Sequence, residues 1–364
     1  MNLLSRFRRQ PLAATIDLGD PRVAADPFPH YEELRRAGPV HYLARHDFWI
    51  VLGYDAVKAA FDRPDDFSNQ VYDDVDSVLL AADPPRHTPI RRAVSRLFSG
   101  DALARLTAFA EAEAERLARP EIDVVADYAV PFTQAVAAEL IGFDEGAVAS
   151  LRGALAPETP FRETVACLDR IAGQARSYEK FRQPDYGGFS DREARSLVRL
   201  LWLAATTTTE RTIVHATLRL LRDDGLRARV AAGPALLPAL VEEVLRLNPA
   251  ESLIRRVTTR DTELGGVAIP AGASVQLCLP AANRDPARFP EPASVRLDRP
   301  QKQHLAFGSG LHFCPGAGLA RRLVPVALAA LLRRPGLRPR EPLDRLSWVA
   351  TTSTLVPRRM LVAL

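Results

Sequence analysis

The chain has 364 residues, of which 47% are hydrophobic, so it is long enough to bury a sizeable core. We find no stretch that approaches the roughly 20 apolar residues of a membrane helix, and no apolar signal-peptide core, so we expect a cytoplasmic protein. The net charge of +4 comes without a basic block interleaved with aromatic residues, which argues against nucleic-acid binding but is compatible with docking of an acidic protein partner.

The three cysteines, Cys167, Cys278 and Cys314, are too few and too widely spaced for a disulfide framework. They include no Cys-x-x-Cys pair, which argues against a zinc site. The sequence also shows no internal repeat and no low-complexity linker, so we expect a single domain over residues 1–364.

Hydrophobic periodicity and turn signals predict a mostly α protein with a small β region. The first predicted elements are a helix over 31–36, strands over 40–43 and 48–52, and a helix opened by residues 83–88, with its prolines in the first turn, that runs to about 98. The later elements are helices over 102–117, 128–140 and 191–221, a helix over 239–247, strands over 253–257 and 274–279, and a last helix from Pro315. Ser190 and Glu193 predict a capping box at the start of the long helix.

The segment over residues 307–316, F-G-S-G-L-H-F-C-P-G, is called the cysteine loop below. Its glycines permit backbone conformations and close approaches that other residues avoid. Cys314 stands just before Pro315, a residue suited to the first position of a helix, where the helix dipole favours a metal-binding thiolate. A lone cysteine would more simply be buried and inert. Three glycines and an aromatic residue at fixed spacing around Cys314 favour its role as a metal ligand.

The cysteine loop resembles the haem-binding loop of the cytochrome P-450 family, F-x-x-G-x-x-x-C-x-G, and the match extends back to His304. Phe307, Gly310, Cys314 and Gly316 occupy the fixed positions. The resemblance implies the family's mostly α triangular-prism fold with a small β region. It also implies haem b, with Cys314 as the iron ligand and Phe307, Gly308 and Gly316 beside the cofactor.

Glu243 and Arg246 lie three residues apart on a predicted helix, where a surface ion pair would be the simplest interpretation. By resemblance they form the family's structural E-x-x-R motif, and Arg299 stands where the family places a third, buried partner.

Four residues match the family's contacts to the haem propionates: His87 and Arg91 on one helix face, Arg256 on a strand, and His312 in the cysteine loop. Each alone could belong to a solvated face, but carboxylates favour such charge-assisted donors. Arg255 should point to the opposite face of the strand from Arg256.

The run L-A-A-T-T-T-T over residues 203–209 resembles the family's distal A-G-x-(D/E)-T pattern. Ala204 and Ala205 take the small positions, and Thr208 takes the threonine that hydrogen-bonds dioxygen. Thr207 departs from the pattern, because the family usually has an acid there. Glu210, one turn beyond, could replace that acid through water. Without the resemblance, the run is only a β-branched stretch with poor helix propensity.

The chain is short for the family, and the shortage lies between Gly142 and Leu197, where the family carries the lid over its pocket. Residues 183–188 are predicted to form a loop within this stretch. We expect the entrance to the substrate pocket to be more open than is usual in the family, or differently shaped.

The resemblance implies a soluble, bacterial-type monooxygenase that inserts one oxygen atom from dioxygen into a small or medium organic substrate. By the same resemblance, its electrons would come from a ferredoxin-type partner that docks near Arg321 and Arg322, and a tailoring step in natural-product biosynthesis is the expected setting. Expected substrate contacts are Val71, Tyr72, Val78, Leu79, Glu251, Leu253, Thr352 and Leu355.

Two alternatives remain open. Without the distal acid, the enzyme could use peroxide or carry out oxidative coupling, desaturation or rearrangement. A non-catalytic haem-binding or ligand-binding protein is the second alternative, although Thr208 beside two small alanines argues against it.

Overall fold

The computed structural model describes residue 13 and residues 15–71, 78–98, 100–154, 161–300 and 303–364. Its α-helices are α1 Pro21–Ala25, α2 Phe28–Ala37, α3 Tyr54–Asp62, α4 His87–Ser95, α5 Asp101–Leu117, α6 Val130–Ile141, α7 Glu145–Ala154, α8 Phe161–Ile171, α9 Arg176–Arg182, α10 Asp191–Arg222, α11 Asp224–Ala232, α12 Leu237–Leu247, α13 Leu279–Ala282 and α14 Ala317–Leu332. Short 3₁₀ turns lie at Leu79–Ala81, Arg96–Phe98, Ala172–Gln174, Pro184–Tyr186, Pro234–Leu236 and Gly310–His312, and a π-helical turn lies at Val124–Ala129.

The strands are β1 Val40–Leu43, β2 Phe48–Val51, β3 Phe67–Ser68, β4 Glu121–Asp123, β5 Leu253–Thr258, β6 Thr262–Leu264, β7 Val267–Ile269, β8 Ser274–Cys278, β9 Arg338–Pro339, β10 Trp348–Ala350, β11 Leu355–Pro357 and β12 Leu361–Ala363. The predicted mostly α composition with a small β region is confirmed.

Most predicted elements agree with these bounds to within a few residues, but two predicted helix starts are wrong. The helix of His87 begins at His87 itself, so that Pro84 and Pro85 precede it and Pro89 is the proline in its first turn. The last helix begins at Ala317, with Gly316 as its N-cap, rather than at Pro315. In both places the prolines belong to the turn that leads into the helix.

The chain divides into two compact units, each built from three segments. Unit 1 comprises the described residues of Met1–Val71, Pro238–Cys314 and Ser347–Arg358. Unit 2 comprises those of Tyr72–Leu237, Pro315–Leu346 and Arg359–Leu364. The expectation of one domain over residues 1–364 stays a prediction.

Unit 1 is built around a five-stranded sheet with the order β1-β2-β8-β5-β3. The β2–β8 pair is parallel, with Trp49 opposite Val275, and the other pairs are antiparallel. Buried side chains from β2 and β8 pack with residues of α3 and with Leu305, which lies just before the cysteine loop. The hydrophobic core of unit 1 therefore fixes the start of that loop.

Unit 2 is organised by the 32-residue helix α10, which packs against α6 and α14. The capping box predicted at its start is confirmed, because the Ser190 side chain accepts from the Glu193 backbone N–H while the Glu193 side chain accepts from the Ser190 backbone N–H. A sustained helix of this length gives the threonines at its middle a fixed backbone.

Among the described residues, one helical stretch, Val124–Ile141, has the length and apolar composition of a membrane span, although the sequence had indicated none. Of that stretch, 56% is buried inside the protein, as is common for a core helix of a soluble protein.

Candidate active site

The cysteine loop is held by short backbone and side-chain hydrogen bonds within unit 1. The Cys314 N–H donates to the Phe307 carbonyl at 2.9 Å, which closes the loop on itself. The Ser309 hydroxyl donates to Asp62 Oδ1 at 2.7 Å and ties the loop to the end of α3. Cys314 is half-buried, so its sulfur lies in a fixed loop without being enclosed by protein.

Two glycines shape this loop because their backbones are left-handed. Gly308 has φ +71° and Gly310 has φ +64°. A Cβ added at Gly310 would lie 2.9 Å from the Phe61 carbonyl oxygen, too close for any side chain. Gly310 is therefore required both by its conformation and by its close approach to α3.

Cys314 lies two residues before the N-cap of α14, whereas the sequence predicted it directly before the first residue of the helix. The dipole of a helix acts mainly within its first turn, so its support for a thiolate is weaker than expected. The constrained loop backbone, rather than the helix start alone, places the thiol.

Glu243, Arg246 and Arg299 form a buried cluster in unit 1. Glu243 Oε1 accepts from Arg246 Nε at 2.7 Å and from Arg299 Nε at 2.9 Å, while Oε2 accepts from Arg246 Nη2 at 2.9 Å and from the Arg296 backbone N–H at 2.8 Å. Burial opposes ionisation, but these donors, Arg246 foremost, hold the pKa of Glu243 below its ordinary value. A surface pair is thus ruled out, and these three residues meet as the sequence predicted.

The two guanidinium groups also bind the backbone of the loop that follows α13. Arg246 donates to the carbonyls of Asn283, Pro292 and Ser294, and Arg299 donates to those of Pro290, Glu291 and Ser294. The Asn283 side chain in turn accepts from the Leu305 N–H at 2.7 Å. The cluster is thereby connected to the chain that enters the cysteine loop. No pattern described in the sequence indicated this role of the Asn283 side chain.

Arg256 and Arg255 point to opposite faces of β5, as predicted. Arg256 is 3% exposed, whereas Arg255 is exposed. The Arg256 guanidinium lies 5.2 Å from the centroid of the Phe61 ring, a cation–π distance. Phe61 thus supports both Arg256 and the turn at Gly310, a double role that no local pattern in the sequence indicated.

His87 and Arg91 share a face of α4 in unit 2, and His87 is 1% exposed. Burial first, and the nearby charge of Arg91 second, lower the pKa of His87. The imidazole is therefore held towards its neutral form, and Arg91 carries the positive charge of this pair. His312 lies half-buried in the cysteine loop of unit 1.

The threonines at the middle of α10 donate to backbone carbonyls one turn earlier. The Thr207 hydroxyl donates to the Leu203 carbonyl at 2.8 Å, and the Thr208 hydroxyl to the Ala204 carbonyl at 2.7 Å. Ala204 is exposed in this structure, and Ala205, Thr207 and Thr208 are half-buried. Both hydroxyl protons are thus engaged by the helix, while the oxygens keep lone pairs that can accept.

Glu210 is half-buried on α10, one turn beyond Thr206 and Thr207. Burial raises the pKa of its carboxyl to about 7, and Arg211 lowers it by a smaller amount. Glu210 is therefore an acid that can hold or release a proton near neutrality. It stays a prediction that Glu210 replaces the acid that the family usually has at position 207.

The residues predicted to touch substrate fall into several groups. In unit 1, the Ser252 N–H donates to the Ser353 carbonyl at 3.0 Å, which joins the segment of Glu251 and Leu253 to the segment of Thr352 and Leu355. Val71 is half-buried in the same unit, whereas Val78 and Leu79 of unit 2 belong to its buried core. Tyr72 lies outside the described residues. The predicted substrate role of all of them stays a prediction.

The donor set fits the haem expected from the sequence. A half-buried thiol in a glycine-shaped loop offers one soft ligand, and no cluster of histidine, cysteine and acidic side chains that could hold a bare metal ion is found among the described residues. Buried Arg256 in unit 1 and buried His87 with Arg91 in unit 2 are donors for carboxylates. Phe307, Gly308 and Gly316 are all half-buried, as residues beside a large ligand should be.

The family model of "Cytochrome P450" matches residues 235–356. The chain is 33% identical over 341 residues to Cytochrome P450 109 of Bacillus spizizenii, covering 84% of each protein. It is 31% identical over 350 residues to Cytochrome P450 monooxygenase PikC of Streptomyces venezuelae, covering 85% of this chain and 84% of the relative. The substrate-free structure of cytochrome P450 CYP150A6 from Mycobacterium marinum has a TM-score of 0.87 at 26% identity, with 97% of this chain and 98% of that chain covered.

We predict that Glu243→Gln destabilises the protein by about 3 kcal/mol, because two buried guanidinium groups lose their counter-charge. Since the folded pKa of Glu243 is lowered, its stabilisation is present above the ordinary glutamate pKa and is lost as pH falls through the folded value. The difference in unfolding free energy between wild type and variant should therefore shrink on acidification. Urea denaturation at several pH values measures it. Glu291→Gln, at an exposed glutamate, is the matched control. An equal loss of unfolding free energy in Glu291→Gln would contradict a special contribution of the buried cluster to stability.

The stability of wild type relative to Glu210→Gln should change with pH in the opposite direction from its stability relative to Glu243→Gln. A raised folded pKa means that wild-type stability is fully present below the unfolded glutamate pKa and is lost as pH rises to about 7. The melting temperature of wild type should fall over that window relative to Glu210→Gln. Parallel curves of melting temperature against pH for the two proteins would show that burial does not raise the pKa of the Glu210 carboxyl.

Proposed function

This chain belongs to the cytochrome P450 family, and we propose that it inserts one oxygen atom from dioxygen into a small or medium organic substrate. As a member of the family it has the P450 fold, binds haem b and is an oxidoreductase of the monooxygenase type. Membership of this family therefore argues against a non-catalytic haem-binding or ligand-binding protein.

The observation that carries the proposal is the cysteine loop. Its backbone is fixed by the hydrogen bond from the Cys314 N–H to the Phe307 carbonyl and by two left-handed glycines, and Cys314 remains half-buried. Cys314 would bind the iron as a thiolate, which donates electron density and favours O–O cleavage. Bound haem supplies the redox centre at which dioxygen is activated.

Charged and polar side chains would bind the haem carboxylates. Arg256 of unit 1 is held by the Phe61 ring and cannot swing freely into solvent. In unit 2, His87 would serve as a hydrogen-bond donor, and Arg91 would provide charge. His312 would add a further donor from the cysteine loop. The protein's contribution is thus orientation of the cofactor and neutralisation of its charge.

Ala204 and Ala205 would leave room for dioxygen, and Thr208 would contact it. In this structure the Thr208 hydroxyl can accept a hydrogen bond while donating to the Ala204 carbonyl. A proton that passes through Thr208 must reach its oxygen from another group, because the hydroxyl's own proton is engaged by the backbone. Thr207 is engaged in the same way and carries no charge, so a nearby acid such as Glu210 would have to hold the proton.

Electrons would come from a ferredoxin-type protein, for which the exposed Arg321 and Arg322 provide positive charge. The mixture of apolar, hydroxyl and acidic groups at Leu253, Leu355, Thr352 and Glu251 suits a medium-sized, partly polar substrate. We further propose a cytoplasmic enzyme that performs a tailoring step in natural-product biosynthesis.

The second candidate is atypical chemistry on the same haem: peroxide-driven oxidation, coupling, desaturation or rearrangement. The observation that favours it is the engagement of both distal hydroxyls by the helix, with no acid at position 207 to supply a proton.

Turnover with isotopically labelled dioxygen tests the two candidates. A panel of organic substrates is incubated with ferredoxin, its reductase and reduced nicotinamide, or separately with peroxide. The proposal predicts a product that gains one labelled oxygen atom with ferredoxin, a rate at least about tenfold lower in Thr208→Val, and little change in Thr217→Val. The last variant is a matched control, because Thr217 makes the same kind of backbone bond further along α10.

Thr207→Glu should raise the ferredoxin-driven rate and the fraction of electrons that reach product. Unchanged rate and coupling would show that the proton argument is wrong. Turnover with peroxide alone, or a product without the labelled atom, would favour the second candidate over the first.

A further inference from the structure

The helix α4, which carries His87 and Arg91, is bordered at each end by an arginine that binds the same neighbouring segment. We infer that Arg86 and Arg96 are positioning residues that hold α4 at both ends and so keep His87 and Arg91 in place for the haem carboxylates. The inference rests on the proposed role of those two residues. All the contacts that support it lie within unit 2.

At the N-terminal end, Arg86 forms an ion pair with Glu193 in the first turn of α10. Glu193 is itself fixed, because its other carboxylate oxygen accepts from the Ser190 N–H at 2.9 Å and from the Ser190 hydroxyl at 2.6 Å. Burial opposes its ionisation, but the Ser190 donors and Arg86 together keep the pKa of Glu193 low. Arg86 thus binds a carboxylate that the capping box has already oriented.

At the C-terminal end, Arg96 binds the turn before α10. Its Nη1 donates to the Asp185 carbonyl at 2.7 Å, and its guanidinium carbon lies 4.8 Å from the centroid of the Tyr186 ring. A hydrogen bond and a cation–π contact from one side chain fix both its position and its orientation.

The turn that Arg96 binds is compact. The Gln183 carbonyl accepts from the N–H groups of Tyr186, Gly187 and Gly188 at 3.0, 3.1 and 2.9 Å. The fully buried Phe181 contacts the rings of Tyr186 and Phe189 edge-on, at centroid distances of 6.2 and 6.4 Å. The loop that the sequence predicted over residues 183–188 is therefore an exposed, hydrogen-bonded turn that contacts the core through the Tyr186 ring.

The composition of α4 explains why such support is needed. A nine-residue helix is too short to be stable by itself. Arg86, Arg91, Arg92 and Arg96 crowd four positive charges into eleven residues, and Arg92 and Arg96 are four apart, a repulsive spacing on a helix. Contacts to Glu193 and to the Asp185–Tyr186 turn offset this repulsion at the two ends of the helix, away from Arg91 at its middle.

The test uses the substrate-free holoenzyme and two readouts that need no turnover: the rate of haem transfer to an excess of an apo-globin acceptor, and amide hydrogen exchange along the chain. The variants are Arg86→Ala, Arg96→Ala and the double variant. Arg92→Ala is the matched control, because Arg92 is an exposed arginine on the same helix. Arg96→Lys keeps the charge, and Glu193→Gln keeps a side chain suited to the capping box while removing the partner charge of Arg86.

We expect the double variant to transfer haem about tenfold faster, with smaller increases in the single variants, which corresponds to the modest strength of exposed ionic and cation–π contacts. Exchange should rise over residues 87–98 and stay unchanged over 200–222. Arg92→Ala should raise neither readout, because it removes one charge of the repulsive Arg92–Arg96 pair. Arg96→Lys should raise both readouts less than Arg96→Ala, and Glu193→Gln should resemble Arg86→Ala.

An unchanged haem-transfer rate in the double variant overturns the inference. So does an equal rise in exchange over residues 200–222, because that would indicate general destabilisation rather than loss of positioning. Failure of the proposed monooxygenase function is seen separately, as absence of labelled product from the wild type, and leaves these two readouts interpretable.

Discussion

One carboxylate, that of Glu243, binds two buried guanidinium groups, and the chain that leads to the cysteine loop is folded around the three side chains. Arg246 and Arg299 bind Glu243 and, with their remaining N–H groups, the carbonyls of the segment from Asn283 to Ser294. Buried charges tolerate little displacement, since each lost partner leaves a desolvated ion. The position of the chain that leads to Cys314 is therefore set by electrostatics rather than by apolar packing alone.

Unit 2 contains a short basic helix, α4, and a β-branched run within α10, and local contacts hold both segments in helical form. Along α10, Thr206, Thr207 and Thr208 donate their hydroxyl protons to carbonyls of the helix itself, so these buried or half-buried hydroxyls are satisfied locally. Along α4 the arginines at the two ends are satisfied by the capping-box glutamate and by the aromatic turn before α10. Both devices leave part of a helix surface for ligands while the backbone remains fixed.

The sequence was most informative where a short motif dictates local geometry. The capping box at Ser190, the opposite faces of Arg255 and Arg256, and the meeting of Glu243 with Arg246 follow from spacing on a helix or strand. Partners distant in the chain left no such pattern: Phe61 beneath Arg256, and Arg86 on Glu193, which is 107 residues away. The start of α14 was misjudged because Pro315 is equally suited to a helix and to the turn before it.

The central claim is that Cys314 binds the haem iron as a thiolate. The most direct measurement is the absorption spectrum of the reduced, carbon-monoxide-bound protein, recorded for wild type and for Cys314→His. We predict the thiolate-ligated carbonyl band in wild type and its replacement by the band of a histidine-ligated haem in the variant. A wild-type spectrum without thiolate ligation, or an identical spectrum for both proteins, would contradict the account.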